Sequence, residues 1–305
     1  VFPLSDHASD VTKTLARACR SVGGKIRLNE TVEGIAVENG AVTSVIGSSG
    51  TYACDCVIVA TGGVSYPATG STGDGYRFAA EAGHTVVAPV PSLVGLELCE
   101  DLTAAQGITL KNVVLTAKRD GKVISSRMGE LLITHYGISG PLVLSLSAEI
   151  NRMPLQEVSL TLDFKPALDD KALDARLLRD FGERKNETLK NIIRGLLPGG
   201  LGACVLGLAG ISPELRANSV TRQMRESLVR ILKGLPLTPK ALRGFGEAVV
   251  TSGGISLKEI NPKTMESKLI SGLRFCGEVL DVDAFTGGFN LQIAFSTGFL
   301  AGNSI

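Results

Sequence analysis

The C-terminal stretch constrains this chain most. Residues 272–303, GLRFCGEVLDVDAFTGGFNLQIAFSTGFLAGN, read as a short apolar strand, then Gly277-Glu278, then a loop with Gly287-Gly288, then a helix rich in small residues. A glycine turn feeding a helix start presents unpaired backbone N–H groups, which favour an anion or the negative end of a dipole. Ala294, Gly298 and Gly302 recur every four residues on one helical face. That spacing predicts a close approach of some other group to the face.

The rest of the chain reads as alternating α and β elements. A first helix is expected over 6–22, capped by Asp6 or Ser9, with Val11, Leu15 and Ala18 on one face. A short strand is expected at 25–28. Three strands follow at 32–38, 42–47 and 51–54, with Asn39-Gly40 as a hairpin turn, since Asn-Gly accepts positive φ at both central positions. Residues 57–60 form a continuous apolar run of the kind buried on both faces in a parallel sheet, and end in Thr61-Gly62-Gly63.

Gly73-Asp74-Gly75 opens a helix to about Ala82, closed by Gly83. Two readings of this start stand open: a ligand near the helix N-terminus, or an ordinary turn with Asp74 as N-cap. Pro89 and Pro91 mark a domain crossing. Beyond them lie strand-like segments at 113–118, 122–126, 130–134 and 157–164, a hairpin turn at Asp120-Gly121, and a helix at 142–150 with Pro141 at its first position. Residues 171–243 read as helical, with Leu173, Leu177 and Phe181 sharing a face. Residues 247–260 return to strand.

Composition excludes several classes. With 305 residues, 44% hydrophobic, the chain can bury a sizeable core. No apolar run is long enough to span a membrane and no signal peptide is visible. Three histidines and six scattered cysteines make a metal site unexpected, and reduced thiols in a cytoplasmic protein are expected. The segment 171–243 carries 14 Lys+Arg against 6 Asp+Glu, a net of +8. A solvated helix face accounts for such an excess, and a phosphate-docking face is the sharper alternative. The shortage of aromatics there counts against single-stranded nucleic acid, so nucleic acid is disfavoured as a partner.

Three separated signals belong together: residues 57–63 (VIVATGG), residues 71–75 (STGDG), and Gly277-Glu278 with residues 287–291 (GGFNL). In this order, with a large insertion between the second and third, they resemble flavoproteins with two dinucleotide-binding folds, including the fumarate reductase and aspartate oxidase flavoproteins. Residues 2–10 (FPLSDHASD), 134–141 (THYGISGP), 261–268 (NPKTMESK) and 277–295 extend the likeness over almost the whole chain. The chain is identified by them as a member of the HI0933-like, or BaiN-like, group of bacterial FAD-dependent oxidoreductases.

The resemblance implies an α/β fold: an incomplete Rossmann-like FAD-binding domain with a β-barrel-like plus helical insertion. The expected division is 1–92 and 251–305 for the FAD-binding domain and 93–250 for the insertion, β-rich over 93–165 and helical over 171–243. It also implies roles. Thr61, Gly62 and Gly63 would lie along FAD, where small residues let the backbone come close. Asp74 would lie by the cofactor. Glu278, after Gly277, would accept hydrogen bonds from the ribityl hydroxyls. Beyond Gly287 and Gly288, the N–H groups at Phe289, Asn290 and Leu291 would face the flavin pyrimidine edge, where the helix dipole stabilises charge on the reduced ring.

The family's GxGxxG turn, which holds the pyrophosphate, has no counterpart in these 305 residues. The chain, starting at Val1 without Met, is therefore expected to be a fragment that binds FAD weakly or not at all. The expected activity of the intact protein is reduction or oxidation of a small molecule through FAD, with NAD(P)H as electron donor. The alternative is a non-catalytic binding or scaffold protein that keeps the fold. Catalytic residues stay unassigned: Tyr66, His135 and Tyr136 are the acid–base candidates, each with a structural role as the rival reading.

Overall fold

A computed structural model describes residues 3–305; Val1 and Phe2, with the start of the FPLSDHASD motif, lie outside the described residues. The chain forms two compact units, one of residues 1–57 and 270–273, the other of 58–269 and 274–305.

In the first unit, α1 (Ala8–Ser21) is capped by His7, not by Asp6 or Ser9. No residue of α1 is buried, so the expected face of Val11, Leu15 and Ala18 is open. Residues 25–28 form no strand: they find no partner ladder among the described residues, and Leu28 is exposed. Strands β1 (Val32–Glu38), β2 (Ala41–Gly47) and β3 (Gly50–Ala53) make the expected antiparallel meander. Its first turn has Asn39 at φ 50° and Gly40 at φ 78°, the positive pair that Asn-Gly supplies.

Strand β4 (Val57–Val59) pairs with a late strand, as described below, and runs into the 61–65 loop. Its outer faces are half-buried and only Val59 is fully buried, so the expectation of a strand covered on both faces is not met. Helix α2 (Asp74–Glu81) follows. Next comes β5 (Val86–Ser92), whose Pro89 and Pro91 sit in a strand with a single partner, where a missing donor is tolerated.

The larger sheet begins with β6 (Leu96–Leu98), the long hairpin β7 (Thr109–Arg119) and β8 (Lys122–Ile133), and β9 (Gly137–Ser139). Asp120 (φ 50°) and Gly121 (φ 74°) close the hairpin. Helix α3 (Pro141–Ile150) packs on it, with Pro141 at its first position as expected. Strand β10 (Val158–Asp163) then joins β7.

The helical layer comprises α4 (Asp170–Glu183), α5 (Leu189–Ile192), α6 (Leu201–Leu208) and α7 (Arg222–Lys233). Leu173, Leu177 and Phe181 are buried together, as their spacing requires. Residues 235–242, expected to be helical, form β11 (Leu235–Leu237) and β12 (Pro239–Leu242) instead. Pro236 and Pro239 forbid a continuous helix, and alternation buries Leu235 and Leu237.

The seven strands run β11-β10-β7-β8-β9-β6-β12. The two edge strands are consecutive in the chain, separated by Thr238 alone. No pairing between these two edge strands closes the sheet among the described residues, so the structure shows an open seven-stranded sheet where a barrel-like insertion was expected. The sheet and the helical layer share one continuous apolar core.

The chain ends with β13 (Val250–Ile255), antiparallel to β5, then β14 (Leu273–Phe275), and α8 (Phe289–Asn303). β14 pairs with β4. Val57 N–H donates to Gly272 O and Cys276 N–H to Val59 O, so both residue numbers rise together, the parallel sense.

Candidate functional site

Strand β13 is buried at every position, and Thr251 at its second residue is the hub of a polar node. Its hydroxyl accepts from Val64 N–H (2.9 Å) and Ser65 N–H (3.1 Å), and lies 2.9 Å from Ser65 Oγ. Its own N–H donates to Glu278 Oε1 at 2.8 Å. A Cβ at Gly63 would collide with Thr251 Oγ1 and come within 2.7 Å of Glu278 Oε1. Gly63 is therefore glycine because Thr251 and Glu278 occupy the space a side chain would need.

Glu278 is set by what flanks it. Gly277 holds φ +76° and its N–H donates to Thr297 Oγ1 of α8 at 2.9 Å. Just before it, Cys276 is tied to β4. Strand and final helix thus fix the backbone on which Glu278 stands.

The start of α2 packs on the same loops. A Cβ at Gly75 would collide with Thr61 Oγ1 and lie 2.8 Å from Val279 Cγ2. The N-cap is Gly73 in the left-handed conformation, so Asp74 is the first helical residue and not the cap. Its exposed carboxylate accepts from Thr72 Oγ1 at 2.6 Å, and an acid at that position is favoured by the helix dipole. One residue after Gly75, Tyr76 is buried, and its hydroxyl has no hydrogen-bond partner among the described residues. Burial, with the nearby Glu278 and Asp281 carboxylates, pushes its pKa up to about 12. The phenol is thus an uncharged donor beside Glu278.

The 281–288 loop is anchored by Asn290. Its side chain donates to Ala284 O (2.7 Å) and accepts from Ala284 N–H (2.9 Å). Gly288 caps α8 in the left-handed conformation, with no side-chain hydrogen bond to the first turn. Phe289 and Leu291 stand exposed beside that turn. Along the face of Ala294, Gly298 and Gly302, only Ala294 meets a close neighbour, near Gly277; among the described residues nothing lies within 4 Å of a Cβ at Gly298 or Gly302. The close approach expected there does not come from this chain's described residues.

Of the residues singled out in the sequence, Thr61, Gly63, Gly277 and Glu278 meet through direct neighbours, with Gly62 (φ +75°) in the same loop. Asp74 lies one position before Gly75, and Asn290 is linked through its loop and through α8. Thr251 and Tyr76 were not foreseen: a single Thr in a strand and a Tyr after a glycine carry no local signal of their partners.

The acid–base candidates lie in a second cluster. Arg243 stacks over the Tyr136 ring at 4.5 Å and is held by Glu97 (2.7 Å) and Glu247. Those carboxylates raise its pKa further. The rings of His135 and Tyr136 pack edge to face. Tyr66, at φ 50° and half exposed, donates its N–H to Phe245 O.

His84 lies between Glu259 Oε2 (3.2 Å from Nδ1) and Ser267 Oγ (2.8 Å from Nε2), the order of atoms found in a serine nucleophile triad. The imidazole is fully buried, Ser267 is buried, and its hydroxyl already accepts from Leu269 N–H. The group ties α2's exit to the 259–269 segment and offers no accessible nucleophile. Among the described residues no cluster could hold a metal ion, and no helix is long and apolar enough to cross a membrane.

A family model described as HI0933-like protein Rossmann domain matches residues 1–304. The chain is 32% identical over 307 residues to a 3-dehydro-bile acid delta(4,6)-reductase of Clostridium scindens, covering all of this chain and 75% of that protein. It is 35% identical over 304 residues to a ribosomal RNA dihydrouridine synthase of Haemophilus influenzae, covering 98% of this chain and 73% of that protein. Among solved structures, a quinol-fumarate reductase matches with a TM-score of 0.39 and 17% identity, over 95% of this chain and 47% of its own. The glycine oxidase of Bacillus cereus matches at 0.30 and 16%, over 97% and 55%. The chain spans about half the length of these solved structures.

Proposed function

Because this chain belongs to the HI0933-like protein Rossmann-domain family, a family of FAD-binding oxidoreductases, we propose that it holds FAD at the Gly63–Thr251–Glu278 node and reduces a carbon–carbon double bond conjugated to a carbonyl. The observation that carries this reading is the Tyr76 hydroxyl, buried without a partner among the described residues and close enough to Glu278 to feel its charge. A phenol that can donate its O–H and a carboxylate that only accepts together suit a ligand hydroxyl, which does both. The ribityl chain of FAD supplies such hydroxyls. The donor set therefore fits the ribityl and flavin part of the cofactor.

The remaining roles are proposed on the same reading. Thr61, Gly62 and Gly63 form the wall of the ribityl segment, kept narrow by Thr251. Asp74 stands at the exposed start of α2. Beyond Gly287-Gly288, the open N–H groups at Phe289, Asn290 and Leu291 face the electron-rich edge of the flavin, with Asn290 fixing the loop through Ala284. The bound flavin supplies hydride chemistry, and NAD(P)H is the proposed source of its electrons. The FAD-binding domain comprises 1–92 and 251–305, and the insertion 93–250 supplies the substrate side.

The substrate class comes from the relatives' names. A delta(4,6)-reductase of a 3-dehydro compound and a synthase of dihydrouridine both hydrogenate an alkene in conjugation with a carbonyl. A small molecule is the first reading. Ribosomal RNA is the second, favoured by the net +8 of residues 171–243 and by Arg230 standing exposed on α7. Several charges of this segment are already paired, among them Arg225 with Asp174 and Lys190 with Glu214, which weakens it.

The test is anaerobic. The gene's full product is purified, its flavin absorbance and FAD content are measured, and it is reduced with NADH or NADPH. Reoxidation is then followed with a conjugated steroid enone and with ribosomal RNA lacking dihydrouridine. Bleaching by a nicotinamide and recovery with one acceptor supports the proposal and chooses between the readings. A product that retains no FAD sinks it. FAD binding without reduction leaves the scaffold alternative.

A further inference from the structure

Away from the flavin node, a cavity of about 620 Å³ opens where the turn after β10 faces the β7–β8 hairpin. Its walls include Met128, Phe164, Pro166 and Leu168, with Lys111 and Lys165 at their edges. We propose that this cavity binds an amphiphilic carboxylate, its apolar body against Met128, Pro166 and Leu168 and its carboxylate on Lys165.

The turn that carries Lys165 is rigid. Lys233 Nζ donates to Lys165 O (3.0 Å) and Leu168 O (2.6 Å) and pairs with Asp163 Oδ2 at 2.7 Å. Asp163 Oδ1 in turn accepts from Lys165 N–H at 2.8 Å. Asp163, two residues before Lys165, is thereby occupied by Lys233. Lys165's own ammonium has no ion pair or hydrogen bond among the described residues, although its side chain is half-buried. Arg176, the charged neighbour that acts on it, has the same sign and is itself paired with Asp180. Burial and then Arg176 both pull the Lys165 pKa down. The opposite wall is shaped by a bulge in β7, with Asn112 at φ 55°, and by Met128, 67% exposed.

A partly desolvated cation without a counter-ion is unfavourable, and a bound anion relieves it. One free ammonium among apolar walls matches one carboxylate on an apolar body; a phosphate calls for several donors and no such walls. Lys111 is spoken for by Glu130 at 3.8 Å in solvent and adds only long-range attraction. The volume lies within the range that takes a small ligand.

Calorimetric titration of the folded chain with dodecanoate, dodecan-1-ol and inorganic phosphate tests this, alone and with Lys165→Met and Lys165→Arg. Circular dichroism checks that each variant folds. The expected result is saturable 1:1 binding of dodecanoate, at least tenfold weaker binding of the alcohol, and none of phosphate. Lys165→Met lowers dodecanoate affinity at least tenfold and leaves the alcohol unchanged, while Lys165→Arg stays within threefold of the parent. In chain with methyl-labelled lysines, the Lys165 pKa rises on binding. Equal dodecanoate affinity in Lys165→Met, binding to many sites, or no saturable binding each overturns the proposal. FAD takes no part, so the outcome is separate from the flavin reading.

Discussion

Thr251 donates its backbone N–H to Glu278 Oε1 at 2.8 Å while its hydroxyl accepts from two consecutive N–H groups, those of Val64 and Ser65. One threonine thus joins the glycine loop after β4 to the acid after β14. Replacing it by valine keeps the shape and removes the acceptor, leaving one buried and one part-buried donor unpaired. The expected cost is about 3 kcal/mol in denaturant unfolding. Thr251→Ser keeps the hydroxyl and stays within about 1 kcal/mol of the parent. Equal stability of the valine and serine variants refutes the hub.

Glycines at Gly63 and Gly298 answer to different neighbours. Gly63→Ala forces Thr251 and Glu278 apart and destabilises the chain by about 1–3 kcal/mol. Gly298→Ala meets nothing within 4 Å in a helix interior, and stabilises it by about 1 kcal/mol through helix propensity. If a flavin uses that open face, Gly298→Ala also weakens FAD binding, so thermal melts and FAD titrations on the same variant move in opposite directions. Unchanged FAD affinity in Gly298→Ala removes the face from the cofactor site.

Tyr76→Phe deletes a buried hydroxyl that has no partner among the described residues. The cofactor-free protein is expected to gain about 1 kcal/mol, because an unsatisfied polar group leaves the interior. FAD affinity is expected to fall about tenfold, the equivalent of one hydrogen bond. With the phenol pKa near 12, the tyrosine stays protonated through pH 10 and its share of binding does not vary with pH below that. Riboflavin and lumiflavin separate the causes: only riboflavin carries the hydroxyls, so only its binding weakens. A loss shared equally by lumiflavin assigns the effect to packing.

Features decided within a few residues were legible in the sequence. Asn39-Gly40 and Asp120-Gly121 need positive φ at both positions, and both adopt it. Pro141 starts α3, and Leu173, Leu177 and Phe181 share a buried face. What the sequence hid depends on distant partners. Residues 235–242 follow directly on a helical pattern, and pairing with β10 and β6 makes them strands. Residues 25–28 look like a strand and lack a ladder. At the site, the glycines carry a turn signal of their own, whereas Glu278 is singled out only by the resemblance to the family. Thr251 and Tyr76 were not visible, since their roles come from Val64, Ser65 and Glu278 across the fold.

His84 makes stability depend on pH. Burial holds its pKa below the ordinary 6.5, outweighing the Glu259 hydrogen bond and charge that pull it up. Above pH 6.5 the imidazole is neutral in both folded and unfolded chains. As the pH falls below 6.5, the unfolded chain takes up the proton first, so it binds more protons than the folded one and stability declines. The decline continues until the folded His84 is protonated. Glu259 acts in a lower window: Thr85, through its hydroxyl and N–H, holds that carboxylate below its ordinary 4.5. Its contribution is present above 4.5 and is lost as the pH falls through the folded value. Urea midpoints for the parent and His84→Gln between pH 8 and pH 5 separate the two. The variant is less stable at pH 8, where it loses the bond to Ser267 or Glu259, and the gap between the two proteins narrows below pH 6.5. A gap that stays constant down to pH 5 shows that His84 does not titrate against the fold.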